Sequence, residues 1–205
     1  MKLSRVKEAL VKETIKTLDY GQKKEFGFFC LDRIIDLYKD VDSRIDISEA
    51  NSNIENGTAY DTLISIYKDL KHNISMELSE IQSKIEIFDS LILDTEEIFD
   101  NSVENTVAGV VAENLYYLLK FKVKEDDQCI FDCSRNNIAI ISQIMSEYFF
   151  ENISKDENVC DDLLEFLFVE EYNTQLKAIN LIKEHRKNAL SELIKETIIH
   201  NKNID

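Results

Sequence analysis

Apolar residues recur at intervals of three and four along most of this chain, which is the spacing of one face of a helix. The first such stretch covers residues 2–20, and Gly21 follows it at a position where glycines often end helices. The second stretch, residues 26–41, is too rich in apolar side chains for a half-exposed helix, so we expect it to be central. The apolar residues near one face of the first helix are Leu3, Val6, Leu10 and Leu18.

The same spacing predicts the elements that follow. Polar residues 42–57 predict the longest loop, and helices are expected over residues 58–71 and 75–91. The last periodic segment, residues 157–200, is too long for an average single helix. We therefore expect either one long bent helix or two helices with a break near residues 170–173.

Capping residues and one glycine refine the middle of the chain. Ser102 is a good N-cap for the next helix, and Asp126 or Asp127 can cap the helix after that. Gly109 lies inside the helix that Ser102 begins, where a glycine costs about 1 kcal/mol relative to alanine. We expect a neighbouring helix to approach closely at Gly109 and to offset this cost.

The scarcity of turn-forming residues decides the fold class. The chain has no proline and four glycines, whereas average usage in 205 residues would give roughly ten prolines and about fourteen glycines. Tight β-hairpins need residues that tolerate positive φ, and residues 110–205 contain neither glycine nor proline. The prediction is an all-α fold, a single-domain helical bundle of about seven or eight helices over residues 1–205, with a long C-terminal helix.

Charge is distributed unevenly. The net charge is −16, yet the first 24 residues carry seven Lys or Arg side chains against three acids. A basic first helix is therefore attached to an acidic body. We expect that body to repel nucleic acid and anionic membranes and to attract basic proteins, so that no direct nucleic-acid or membrane binding is expected. The alternative is that the acidity serves only solubility.

The N-terminal residues and the cysteines indicate a compartment. Charged side chains at Lys2, Arg5, Lys7 and Glu8 interrupt any apolar stretch that could form a signal peptide. No apolar run approaches 18 residues, so we expect a soluble, cytoplasmic protein. The cysteines are expected to be reduced and to serve as small core residues; they are Cys30, Cys129, Cys133 and Cys160.

Residue patterns that would indicate catalysis or cofactor binding are missing. A helical di-iron site needs Glu-x-x-His pairs, and none occurs. Cys129 and Cys133 lie one helical turn apart but lack a second pair of ligands, and no glycine-rich phosphate loop or nucleophile elbow is present. We expect His72, His185 and His200 to be surface residues, and we expect no metal, no cofactor and no enzymatic activity.

Two acidic tracts are the candidate partner-binding sites. Residues 85–119 and residues 156–171 contain no Lys or Arg, and like charges at helical spacing cost a few tenths of a kcal/mol per pair. A basic protein partner would offset that cost and would associate fast at low salt. The residues chosen as candidates are Glu96, Glu97, Asp100, Asp156, Glu157, Asp161, Asp162, Glu165, Glu170 and Glu171.

A family resemblance begins in the second helix. Asp32 and Arg33 close the run Phe29-Cys30-Leu31-Asp32-Arg33, and Tyr38 follows five residues later. This arrangement resembles the bacterial YjaG-like family of small helical proteins, and the similarity extends from Phe26 to about Leu190. It continues through residues 58–70, 97–119, 133–135 and 162–190, although the family's prolines are absent. The resemblance implies a compact helical fold, and because that family has no known biochemical activity it implies no catalytic residues.

Three functional hypotheses follow from these observations. The first is an acidic, non-catalytic inhibitor of the immunity-protein type, which neutralises a basic toxin or nuclease by covering it. The second is a housekeeping helical protein that forms a homodimer through the apolar stripe of residues 176–194. The third is an enzyme with a carboxylate-lined pocket, which requires two or three acids to converge in a cleft.

Overall fold

The computed structural model of this chain describes residues 2–38, 59–72, 76–77, 79–84, 103–152 and 157–195. Within these ranges all regular structure is helical, and residues 79–84 form a short helical segment besides the seven helices named next. The helices are α1 (Leu3–Lys16), α2 (Tyr20–Asp32), α3 (Ala59–Lys71), α4 (Val103–Lys124), α5 (Asp127–Asn152), α6 (Glu157–Lys183) and α7 (Lys187–Lys195). The prediction of an all-α bundle of about seven or eight helices is confirmed.

Helix α2 is the centre of the bundle. It packs against α4, α5 and α6, and residues 26–31 are all buried. This half of α2 is buried on every side and therefore needs apolar residues all round, so it has no polar stripe. The prediction that this segment is central is confirmed.

The close approach between helices occurs at Gly27 of α2. A Cβ atom at Gly27 would lie 2.5 Å from Leu118 Cδ2 and 3.1 Å from Ile130 Cδ1, whereas one at Gly109 would meet nothing within 4 Å. The expectation of a close approach at Gly109 is therefore wrong. The signal that identifies Gly27 is its position inside the most apolar segment of the chain, where helices pack from several sides.

The boundary between α1 and α2 lies earlier than Gly21. Helix α1 ends at Lys16, and Asp19 caps α2: its Oδ1 accepts from the Gln22 N–H at 2.8 Å, and the Gln22 Oε1 accepts from the Asp19 N–H at 3.1 Å. This reciprocal pair is a capping box. Gly21 therefore belongs to the first turn of α2, and the prediction that it ends the first helix is wrong.

A two-residue joint separates α4 from α5. Glu125 has φ 53° and its N–H donates to the Phe121 carbonyl at 2.8 Å, which ends α4 in a left-handed C-cap. The next residue, Asp126, is the N-cap of α5, because its Oδ1 accepts from the Gln128 N–H at 2.9 Å. Of the two predicted caps, Asp126 is the residue that performs this role.

Helix α6 continues unbroken through residues 170–173, so the expected break is misplaced. The interruption comes after Lys183: His185 has φ 54°, its N–H donates to the Ile182 carbonyl at 3.0 Å, and the Arg186 N–H donates to the Leu181 carbonyl at 2.9 Å. This pair of bonds is a Schellman motif with histidine at the position that usually takes glycine. Histidine is among the residues that tolerate the left-handed conformation best, which explains a helix end without glycine.

Helix α7 folds back on the bundle and covers it with its apolar stripe. Leu190 and Leu193 of α7 are buried, and Ile194 of α7 and Leu176 of α6 pack against the core. The stripe that was expected to mediate a homodimer is thus largely occupied within this chain.

Helices α1 and α6 run side by side in the same direction. Ser4 contacts Glu165 near the start of both helices, and Lys183 Nζ donates to Thr17 Oγ1 at 2.8 Å near their ends. Val11 and Ile15 point into the core, whereas Leu3, Val6 and Leu10 are exposed. Of the four apolar residues expected on one face of α1, only Leu18 is buried.

Several predictions lie outside the described residues. These are the loop over residues 42–57, the N-cap at Ser102 and most of the helix expected over residues 75–91. In the part of the chain that the structure describes, no helix has the length and apolar character that a membrane span requires.

Candidate functional site

A cleft of about 600 Å³ opens between the first turns of α1 and the helices α4, α5 and α6. Its volume is in the range of ligand pockets, but its lining is mixed rather than mainly apolar. Charged side chains of both signs line it: Lys2, Arg5, Glu8, Asp132, Arg135, Asp161 and Glu165. Such a lining suits a polar or charged group better than an apolar ligand.

Glu165 of α6 holds the N-terminal turn of α1 at one side of the cleft. Its carboxylate accepts from the Ser4 N–H at 2.8 Å and from Ser4 Oγ at 2.6 Å. Helix α1 has no side-chain cap of its own at Lys2, so Glu165 takes the place of an N-cap from another helix. Burial acts to raise the pKa of Glu165, but the hydrogen bonds from Ser4 and the charge of Lys2 outweigh it and leave that pKa lowered.

A second cross-helix contact joins α1 to α5. Arg135 Nε lies 3.4 Å from Glu8 Oε1, and both side chains line the cleft. Tyr172 of α6, which is only 4% exposed, forms part of the same wall, and burial raises the pKa of its hydroxyl. The phenol therefore stays neutral at ordinary pH and can offer a hydrogen bond but no charge.

Two carboxylates, Glu113 of α4 and Asp132 of α5, lie near each other, and Asp132 lines the cleft. Asn136 Nδ2 donates to Glu113 Oε2 at 3.3 Å. Burial, together with the nearby charge of Asp132, raises the pKa of Glu113 despite that hydrogen bond. Tyr117 belongs to the same group, and burial followed by the charges of Glu113 and Asp132 raises its pKa to about 12. A cation placed beside these residues would relieve the repulsion between the two carboxylates.

Some charged groups of the cleft have no ion-pair partner among the described residues. On the acidic side these are Asp132, which accepts a hydrogen bond from Gln128 at 2.8 Å, and Asp161, which is exposed. On the basic side, Arg5 also lines the cleft and is exposed. The cleft therefore has charge available for a partner of either sign.

The structure separates the acidic candidates of α6. Asp161, Asp162 and Glu170 are exposed, and Glu170 accepts from Asn173 Nδ2 at 3.3 Å. Glu165 is half-buried against Ser4. Glu157 is the first residue of α6. The remaining candidates, Glu96, Glu97, Asp100 and Asp156, lie outside the described residues.

Glu171 lies inside the bundle rather than on its surface. Its Oε1 lies 2.6 Å from Arg33 Nη1, and both side chains are 3% exposed. The same oxygen accepts from Gln175 Nε2 at 2.9 Å, and Gln175 Oε1 accepts from Ser134 Oγ at 2.6 Å. Glu171 is therefore a structural residue that connects α2, α5 and α6, and its inclusion in the partner-binding set is corrected.

Residue types that could support other chemistry are scattered. Among the described residues, no group of three or more His, Cys, Asp and Glu side chains could hold a metal ion. His72 and His185 are exposed, and His200 lies outside the described residues. The prediction of core cysteines is confirmed for three of the four: Cys30, Cys129 and Cys133 are buried, and Cys160 is half-buried.

The contacts that sequence reasoning missed join distant parts of the chain, one at the cleft and one inside the bundle. Ser4 and Glu165 are 161 positions apart, and Arg33 and Glu171 are 138 apart. Within residues 156–171, Glu165 and Glu171 have no partner nearby in the sequence, because Ser4 lies in α1 and Arg33 follows α2. The sequence held two signals for these contacts: the basic character of α1, and a single arginine in the most apolar segment of the chain.

Taken together, the fold and the cleft define an acidic, all-helical protein with a charged groove beside its N-terminal helix. No protein family model matches the chain, and no curated protein or solved structure is significantly similar to it. The resemblance to the YjaG-like family therefore stays a prediction.

Proposed function

We propose that this chain is a non-catalytic binding protein that neutralises a basic protein, such as a toxin or nuclease, by covering its surface. The observation that carries the proposal is the placement of Asp161 and Asp162. Both are exposed on α6, and neither has an ion-pair partner in the described part of the chain. Asp161 lines the cleft, so the pair lies beside a concave surface rather than on an isolated helix face.

The charges support fast and selective association. With a net charge of −16, the chain attracts basic proteins over a Debye length of about 8 Å at physiological salt. Asp132 lines the cleft and the carboxylate of Glu113 lies near it, so this side of the cleft offers a place for one inserted Lys or Arg side chain. An anchor residue in a pocket at the centre of a contact surface is typical of tight protein complexes.

The first experiment identifies the partner. The tagged chain is incubated with lysate of its native host in low salt, washed with high salt, and the proteins released are identified by mass spectrometry. A basic protein released by salt, whose toxic or nucleolytic activity is then blocked by purified chain at equal concentration, supports the proposal. Release of acidic or neutral proteins only would contradict it.

The second experiment tests the surface with matched charge changes. Asp161→Lys/Asp162→Lys and the control Glu184→Lys/Glu192→Lys change the net charge equally, and all four side chains are exposed. We expect the first variant to weaken the complex with the captured partner at least tenfold and the control to weaken it much less. Equal weakening by both variants would show that only net charge matters and would exclude α6 as the contact surface.

The alternative is that the acidity serves solubility in a housekeeping protein. Such a protein was expected to form a homodimer through residues 176–194, but Leu190 and Leu193 are buried within the chain. This alternative predicts that no basic protein is released by salt in the first experiment. The capture experiment therefore separates the two functions, and light scattering tests whether the chain still forms a homodimer.

A further inference from the structure

Helix α1 carries an exposed row of large apolar side chains. Leu3 is 53% exposed, Val6 is 41% exposed and Leu10 is 48% exposed. Their spacing of three and then four residues places them on one line along the helix. The row is separate from the face that packs against the bundle, because that face is formed by Ser4, Val11 and Ile15.

Such a row is unusual on a surface this rich in charge. Single exposed apolar residues are normal, but three in line over two helical turns form a continuous strip that water solvates poorly. The spacing is that of positions a, d and a of a heptad, the pattern by which one helix receives another. The next d and a positions of the pattern are the polar residues Glu13 and Thr17, so the apolar row ends at Leu10.

Basic side chains flank the row. Lys2, Lys7 and Lys16 occupy the e and g positions of the same heptad pattern, where charges select the partner helix. Lys16 pairs with Glu13 at 2.6 Å, whereas Lys2 and Lys7 form no ion pair within the described residues. The strip is therefore complementary to a partner helix that has an apolar row of its own and acidic residues on both sides of that row.

We infer that α1 is a docking surface for an amphipathic helix of another protein whose apolar row is flanked by Glu or Asp. A second copy of this chain fits poorly, because pairing two α1 helices would bring lysine against lysine. An anionic membrane fits poorly, because its surface would bring the rest of this chain, whose net charge is −16, close to headgroups of the same sign, whereas a single helix contacts α1 alone. The inference goes beyond the proposed function and uses a different surface.

The test uses defined peptides as probes. A fluorescently labelled three-heptad helix with Leu at a and d and Glu at e and g is titrated with the full chain in low salt, and its anisotropy is followed. The matched peptide carries Lys at e and g. We expect saturable binding of the Glu peptide and at least tenfold weaker binding of the Lys peptide.

Variants locate the binding surface on α1. Val6→Glu should weaken binding of the Glu peptide at least tenfold. Val6→Ala should weaken it less, and it should keep the fold because alanine favours the helical conformation. The control is Val123→Glu, at an apolar residue of α4 that is 36% exposed, and it should bind the peptide as the parent chain does. Circular dichroism of each variant reports that the helix content is unchanged.

Three results would overturn the inference. One is failure of the Glu peptide to bind, or equal binding of both peptides. Another is light scattering that gives twice the chain mass and returns to the monomer mass in Val6→Glu, which would identify a second copy as the occupant. The third is co-sedimentation with phosphatidylserine vesicles that Val6→Glu abolishes. The Asp161→Lys/Asp162→Lys variant should still bind the Glu peptide, so this test is independent of the proposed function.

Discussion

At the scale of single residues, the ion pair of Arg33 and Glu171 is the contact whose disruption should lower the free energy of unfolding most. Each side chain is 3% exposed, and the guanidinium also lies 5.2 Å from the centre of the Phe29 ring. A buried ion pair does not by itself indicate high stability, because both charges lose their hydration. Removing only one partner leaves the other charge buried and uncompensated, and that is where the large cost arises.

We therefore predict that Arg33→Met and Glu171→Leu each lower the free energy of unfolding by about 3 to 5 kcal/mol. The double variant should lose clearly less than the sum, because neither charge is then left alone. Urea unfolding of the four proteins measures this, and additive losses would show that the two side chains do not depend on each other. The control is Glu192→Gln, in an exposed pair with Lys195, which should change stability by less than about 1 kcal/mol.

Two glycines give opposite predictions for the same substitution. Gly27→Ala should destabilise the chain by about 1 to 3 kcal/mol, because the new methyl group would lie 2.5 Å from Leu118 Cδ2 in the core. Gly109→Ala should stabilise it by up to about 1 kcal/mol, because nothing lies within 4 Å and alanine favours helix. Thermal unfolding of both variants provides the comparison. A loss of stability in Gly109→Ala would contradict the helix environment described for that residue.

At the scale of elements, the attachment of α1 to α6 depends on Glu165. Its carboxylate satisfies the Ser4 N–H at the open end of α1 and accepts from the Ser4 hydroxyl as well. Loss of an N-cap costs about 1 kcal/mol. Glu165→Gln should therefore loosen the first turns of α1, which hydrogen exchange would detect as faster exchange in that helix alone.

The contact between Glu165 and Ser4 also predicts how the stability of the chain changes with pH. Because the folded pKa of Glu165 lies below its ordinary value of 4.5, the unfolded chain binds its proton first as the pH falls. The stabilisation by Glu165 is present above about pH 4.5 and is lost as the pH falls through the folded pKa. The stability difference between the parent chain and Glu165→Gln should therefore shrink on acidification. Glu170→Gln, at an exposed position of the same helix, should show no such trend.

Local patterns predicted the elements well and their junctions less well. Periodicity found the helices, and the density of apolar residues in α2 correctly placed it at the centre. The junctions depend on short signals that the prediction gave too little weight. The capping box of Asp19 and Gln22 begins α2 before Gly21, and His185 ends α6 without a glycine. Contacts such as Arg33 to Glu171, 138 positions apart, cannot be derived from local pattern. That is why an internal carboxylate was predicted to bind a partner.

At the scale of the whole molecule, two surfaces of opposite character lie on neighbouring helices. The N-terminal half of α6 presents Asp161 and Asp162, and α1 presents Leu3, Val6 and Leu10 between lysines. Because Ser4 and Glu165 join these helices, a partner on one surface lies close to the other. A basic target and an acidic helix could therefore be held by the same pair of helices.

The net charge of −16 predicts that salt acts on folding and on binding in opposite directions. Carboxylates repel one another in the folded chain, so screening them should raise the melting temperature by a few degrees between low and physiological salt. The complex with a basic partner should weaken over the same range, because its attraction is screened as well. Thermal unfolding and binding measured in one salt series test both trends. A melting temperature that falls with salt would show that attractive ion pairs outweigh the repulsion, and loss of the complex could then no longer be separated from loss of the fold.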